Sequence, residues 1–280
     1  MNWSLHHAAA VGAWCVLIAS SAGAQHSGGR KPDVHFVVTR QPVVEAMLRL
    51  VAVRKEDVVY DLGSGDGRIV ITAAKRYGAR GVGIELDTGL IRTATRKARE
   101  AGVADRVRFL RQDLFATDIS SATVVTLYLG PALNLRLRPM LYRALRPGTR
   151  VVSHGWDMGD WQPDARHEVD GRSLFFWTLA ANVSGVWRWR APDGTSQVAL
   201  LEQRYQQASG AWIRGADTVP IAFVRLVGDS IAIRAARGGE VFRFTGRVRG
   251  DAIRGRIERS GKPAAVWAAR RTSRGGAIGE

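Results

Sequence analysis

The sequence predicts an α/β protein, an open and mostly parallel sheet with helices on both faces, followed by a small all-β domain. Three observations predict it. From about Asp33 to Asn182, short β-rich runs alternate with helix-like stretches, the rhythm of βαβ units. A loop with glycines at alternate positions, Gly63, Gly65 and Gly67, follows the first of those runs. From Ser184 onward the helical rhythm stops, and short β-rich runs are punctuated by Gly and Asp.

The predicted strands of the first region are Val58–Leu62, Gly81–Glu85, Val107–Gln112, Thr123–Leu129 and Arg150–His154. Helix-like stretches lie between them at Arg68–Tyr77, Gly89–Ala101 and Leu133–Leu145. Pro147-Gly148 stops the last helix. Ala165–Val169 and Ser173–Ala180, around Asp170-Gly171, read as a β-hairpin. The second region offers Gly185–Arg190, Ala199–Gln206, Ile221–Leu226, Ile231–Arg234, Val241–Val248 and Ala252–Glu258, with the turn Val227–Ile231 echoed at Arg249–Ile253. Turns at this density predict an antiparallel barrel or sandwich over residues 183–272, with 273–280 as a flexible tail. Trp187, Trp189 and Trp212 either line a pocket or, as aromatics at alternating strand positions more often do, fill a core.

With 280 residues, 46% of them hydrophobic, the chain is long enough for two domains with proper cores. Its net charge of +16 would suit an anionic partner, but the arginines are spread through both halves, so no specific nucleic-acid contact is expected. Ala8–Ala19 is an uncharged apolar run followed by an A-x-A pattern at Ala22 and Ala24. Residues 1–24 therefore read as a secretory signal peptide, which implies an exported or periplasmic protein with no transmembrane segment after cleavage. The sole cysteine, Cys15, lies inside that run, so a chain cut after Ala24 has no thiol for a disulfide, a metal or catalysis. No metal site is expected, because the histidines lack a supporting ligand cluster.

The glycine loop narrows the ligand. Its spacing is not the G-x-G-x-x-G of dinucleotide binders, and Arg68-Ile69 replaces the Lys-Ser/Thr of a P-loop. What remains is D-x-G-x-G-x-G, from Asp61 through Gly63, Ser64, Gly65 and Asp66 to Gly67. A carboxylate at a strand end suits a cationic amine better than a phosphate. The second strand ends at Glu85, before Leu86, where an acid can accept from both ribose hydroxyls. The third ends near Asp113 and Leu114, a carboxylate and an apolar wall for an adenine. Three acids at three successive strand ends point to S-adenosylmethionine, which carries an ammonium and a sulfonium but no phosphate.

Asp61–Gly67, Val82–Asp87 and Gln112–Leu114 resemble the successive motifs of class I S-adenosylmethionine-dependent methyltransferases. More narrowly, Asp61–Val70, Ala122–Leu129, Leu145–Ser153 and Trp161-Gln162-Pro163 resemble the small protein-lysine methyltransferases related to the mitochondrial ATP-synthase c-subunit lysine methyltransferase. The resemblance covers roughly Val34–Ala180, and implies a Rossmann-like sheet over residues 25–182 and a protein lysine as methyl acceptor. It departs at Val38, where a proline is expected, and the β domain has no counterpart.

Methyl transfer needs donor and acceptor held close and water excluded more than it needs acid–base machinery. A lysine must first lose its proton, which an apolar channel favours. The acceptor is expected at the end of the fourth strand, where Tyr128 either orients an amine or packs over the cofactor. His154 is a candidate proton relay or a structural histidine. Trp156 and Asp157 are rim candidates, and Asn134 either reaches the pocket or caps a helix. The stretch Tyr128-Leu129-Gly130-Pro131 lacks the Pro-Pro-Tyr of DNA-adenine-type enzymes. Two alternatives remain: a small-molecule acceptor, and an exported S-adenosylmethionine- or nucleoside-binding module without catalysis. The complete acid set argues for the enzyme. Because the cofactor is cytosolic, a cytoplasmic location is the alternative to export.

Overall fold

A computed structural model describes residues 37–191, 193–276 and 278. The proposed signal peptide and Cys15 lie outside the described residues. The described residues all belong to one compact unit.

The first part runs α1 (Gln41–Leu50), β1 (Val58–Leu62), α2 (Arg68–Tyr77), β2 (Arg80–Glu85), α3 (Thr88–Glu100), β3 (Val107–Arg111), β4 (Val124–Leu127), α4 (Pro131–Ala144), β5 (Arg150–His154), β6 (Ala165–Val169) and β7 (Arg172–Thr178). The sheet order is β3-β2-β1-β4-β5-β7-β6. The first five strands are parallel, and the β6–β7 hairpin adds antiparallel to β5. Strand order reverses between β1 and β4, which opens a crevice at their carboxyl ends.

Burial on both faces explains why β1 and β4 read as near-continuous apolar runs. Tyr60, Leu62, Val125 and Leu127 face Leu137 and Leu141 of α4, whereas Val59 and Val124 pack with Val44 and Met47 of α1 and Val70 of α2. Helix α1 has no counterpart among the predicted helices. Pro42 in its first turn and its stripe of Val43, Val44, Met47 and Leu48 explain it. The fourth strand is shorter than expected, because Tyr128 and Leu129 leave the sheet before Gly130 and Pro131 open α4.

The second part is a closed antiparallel barrel in the order β10-β11-β12-β13-β14-β15-β8-β9. Its strands are β8 (Gly185–Arg190), β9 (Ser196–Arg204), β10 (Gln207–Arg214), β11 (Asp217–Val227), β12 (Ser230–Arg237), β13 (Glu240–Arg249), β14 (Ala252–Arg259) and β15 (Lys262–Arg274). β10 and β15 are not among the predicted strands, because Gly and Ala dilute their β-formers. Trp187, Trp189, Trp212, Trp267, Phe242 and Phe244 fill the interior, the last five in edge-to-face contacts, in keeping with the alternating pattern. The segment expected to be a flexible tail begins inside β15, and Ile278 is buried with Tyr142, Leu145 and Leu179 beside a cavity of about 180 Å³.

The β9–β10 turn, Tyr205-Gln206, docks on the first part. The Tyr205 ring stacks on Trp161 at 5.7 Å, and the Trp161 indole N–H donates to Gln206 at 2.9 Å. Asp160 gathers Arg138, Arg204 and the Tyr205 hydroxyl. At a second contact the Ala181 amide donates to the Gly228 carbonyl at 2.7 Å.

Candidate active site

The glycine loop is held by its own backbone. Gly63, Gly65 and Gly67 all have φ between +53° and +81°, which side chains disfavour. At Gly63 a Cβ would also lie 2.6 Å from the Leu129 side chain. The amides of Gly63 and Ser64 both donate to the Ile84 carbonyl at 2.9 Å, which ties the loop to β2. Gly67 then starts α2.

Asp61 sits at the buried end of β1 and accepts from the Thr126 hydroxyl at 2.7 Å. Burial, against that hydrogen bond and aided by Glu85 and Asp66, raises its pKa to about 7. Glu85 closes β2; its carboxylate accepts from the amides of Gly65 at 2.9 Å, Leu86 at 2.7 Å and Asp87 at 3.0 Å. Asp113 lies two residues beyond β3 and accepts from the Phe115 amide at 2.9 Å, with Leu114 packed against the core. The three acids thus lie at or just beyond the carboxyl ends of the adjoining strands β1, β2 and β3.

Asp66 differs from the expectation. Its carboxylate is bound by Arg68 and Lys97, each at 2.5 Å. Burial opposes its charge, yet these two cations hold its pKa at about 2. It is a buried clamp between the loop, α2 and α3, committed before any ligand arrives. Ser64 is also buried, and its hydroxyl has no partner among the described residues.

Tyr128 and His154 meet at the ends of β4 and β5, stacked with ring centroids 3.8 Å apart. Tyr128 is half-buried, while His154 is buried with its Nδ1 3.2 Å from the Thr39 hydroxyl. Burial, with Arg172 nearby, lowers the His154 pKa to about 4. Thr39 also accepts on its carbonyl from Arg68 at 3.0 Å, so the segment before α1 is pinned across the strand ends. Nothing in the sequence marks this role for Thr39, because its partners lie 29 and 115 residues away.

Asn134 is neither a cap nor a pocket lining. It is fully buried in α4, whose N-cap is Gly130, and its amide donates to Ser153 at 2.9 Å and to the carbonyls of Trp156 and Asp157 at 3.1 Å. It fixes the loop after β5, from which Trp156 projects 45% exposed. Among the described residues no cluster of His, Cys, Asp and Glu has the makings of a metal site.

Residues 61–165 match the ANTKMT methyltransferase domain. A protein-lysine N-methyltransferase from Saccharolobus islandicus is 44% identical over 144 residues, 51% of this chain and 89% of that protein. This chain belongs to that methyltransferase family. The methyltransferase is also 33% identical over 135 residues to the ATP-synthase c-subunit lysine N-methyltransferase of Homo sapiens, and spans 57% of that protein's length. A crystal structure from Salinibacter ruber, described as an RNA methyltransferase in complex with S-adenosylhomocysteine, is 58% identical. It covers 51% of this chain and 93% of its own, with a TM-score of 0.50. The cofactor of this methyltransferase is S-adenosylmethionine, and the chain's own residues fit it: a backbone cradle closed to side chains, a partnerless Ser64 hydroxyl and three acids at adjoining strand ends.

Proposed function

We propose that this methyltransferase transfers its methyl group to the ε-amine of a protein lysine. The observation that carries this reading is the 44% identity to a protein-lysine N-methyltransferase across most of that protein's length. The cofactor supplies an electrophilic methyl on a sulfonium; the chain's residues do the rest. Asp61, whose raised pKa makes it responsive to a nearby cation, receives the cofactor's ammonium. Glu85 would accept from the ribose hydroxyls, and Asp113 with Leu114 would hold the adenine. The amides of Ser64 and Gly65 shape the floor.

On the acceptor side, Tyr128 orients the amine through its hydroxyl. His154 is neutral at pH 7, backs the Tyr128 ring, and keeps it in place through Thr39. Trp156 forms the rim against which the lysine stem lies. These side chains keep water from the transferring methyl and lower the cost of a neutral amine.

The test is transfer of labelled methyl from S-adenosylmethionine into a cell extract, followed by hydrolysis. Methyl-lysine in protease-sensitive material is the expected result. Label that nuclease removes would favour an RNA acceptor, the reading suggested by the Salinibacter ruber protein. Label confined to small molecules would overturn both. Export remains part of the proposal, resting on residues 8–24. A C-terminally tagged chain found uncleaved in the cytosol would remove it.

A further inference from the structure

We propose that the outer wall of the barrel, from β12 through β15 to β8, binds single-stranded nucleic acid through its phosphates. This concerns the barrel alone and stands whatever the methyl acceptor. Residues 183–276 hold 17 Arg and Lys against 7 Asp and Glu, a net +10 of the chain's +16. The charges that look scattered along the sequence are gathered by the fold. In the strand register Arg234 faces Arg243, Arg247 faces Arg254, and Arg270 faces Arg188, each directly across a strand pair. Their sequence neighbours Ile233, Phe244, Val248, Ile253, Ala269 and Trp187 point into the buried interior, so all six arginines project outward.

Like charges placed directly opposite one another destabilise a sheet. Three such pairs on one wall are a cost that solubility alone does not require. Of the six, Arg247 alone has a local acidic partner among the described residues. Asp193, Asp217, Asp229 and Asp251, which sit at strand ends or turns, pair with Arg214, Arg237, Arg247 and Arg274 respectively. Among the described residues, no ion pair engages Arg188, Arg234, Arg243, Arg254 or Arg270, although Glu258 stands opposite Arg243 in the register. A polyanion would convert this repulsion into binding, and guanidinium groups grip phosphate in bidentate fashion.

The shape of the wall selects among polyanions. The arginines span β12, β13, β14, β15 and β8, five of eight strands around a small closed barrel. A duplex with a persistence length of about 150 base pairs cannot follow that curve, whereas a single strand can. A flat anionic bilayer would reach only part of the arc. The exposed apolar side chains do not help it, since Phe223 on β11 and Val266 on β15 lie four strands apart, half-way around the barrel. Phe223, 51% exposed and opposite Arg234, instead offers a ring on which a base can stack.

The test uses the full chain and its R234Q/R243Q/R254Q variant, none of whose changes touches the cofactor site or an ion pair among the described residues. Binding of a labelled oligouridylate of about 15 nucleotides is read by anisotropy between about 50 and 200 mM salt. The unaltered chain should bind, with affinity falling steeply as salt rises. The variant should bind at least about tenfold more weakly, and its log K against log salt should be shallower by about 2, since each phosphate contact on a single strand contributes about 0.7. Its melting temperature should hold or rise, because opposed charges are gone, and its affinity for S-adenosylhomocysteine should not change. No binding by the unaltered chain at low salt, equal binding by the variant, or equal preference for a duplex would overturn the proposal. Binding to phosphatidylserine vesicles without binding to oligouridylate would overturn it too, and would assign the wall to a membrane surface.

Discussion

At Asp61, protonation and ligand binding are coupled. An unfolded aspartate titrates at about 3.9, but the buried one titrates at about 7, so the folded protein keeps a proton that the unfolded chain has released. The stability this contributes is full in acid and is lost as pH rises through 7. An ammonium beside the carboxylate favours its charged form. Affinity for S-adenosylhomocysteine should therefore increase from pH 6 to pH 8, with proton release visible as a buffer-dependent heat in calorimetry. Asp61→Asn should flatten that dependence and weaken binding at pH 8. Glu85→Ala should weaken it by about 1–3 kcal/mol, the loss of hydrogen bonds to a charged group, and shift the pH dependence toward lower pH, because the Glu85 charge helps to hold the Asp61 pKa up. His154 has the opposite sign. Its pKa is lowered to about 4, so the unfolded chain takes up a proton at about 6.5 that the fold refuses. Its contribution to stability is present above pH 6.5 and lost as pH falls toward 4; His154→Phe should flatten the acid limb of a denaturation-midpoint profile.

The cofactor loop and the rim loop are set by different means. Backbone conformation sets the first. Gly63→Ala would force a Cβ at φ +81° against Leu129 and should cost about 1–3 kcal/mol in chemical denaturation. It should also abolish cofactor binding, because the loop must shift. A buried amide sets the second. Asn134→Ala would strand the carbonyls of Trp156 and Asp157 and the Ser153 hydroxyl, at about 1–3 kcal/mol. Kinetics should show a higher KM for the acceptor with unchanged S-adenosylhomocysteine affinity. The two loops are unequally legible. A strand buried on both faces announces itself as VVYDL followed by glycines, and the acids fall at its end and its neighbours' ends. Asp66 reads as one more ligand, since nothing local marks Lys97, 31 residues on, as its partner. Asn134 reads as a cap or a pocket residue for the same reason.

On the scale of the whole chain, the sheet and the barrel share a core. Tyr205 is as much a part of the first domain's aromatic cluster, with Trp161 and Tyr142, as of its own hairpin. Tyr205→Ala should lower the melting temperature of the full chain and broaden or split its transition, since it removes ring stacking of about 0.5–1.5 kcal/mol beyond burial at the joint. Barrel closure is within reach of the sequence; this joint is not, because a stack between residues 44 apart leaves no periodic trace.

The pairing of β8 with β15 sets an order of events during synthesis. Gly185 at the barrel's start is the register partner of Arg274 near its end. Until β15 leaves the ribosome, β8 and β14 each present an open edge lined by backbone donors and acceptors, ready to pair with another nascent chain. Helices and βαβ units upstream close on near neighbours and fold first. A transcript cut short before β15 would thus yield a finished catalytic sheet carrying an adhesive, unclosed barrel, so quality control of this protein falls almost wholly on that one strand.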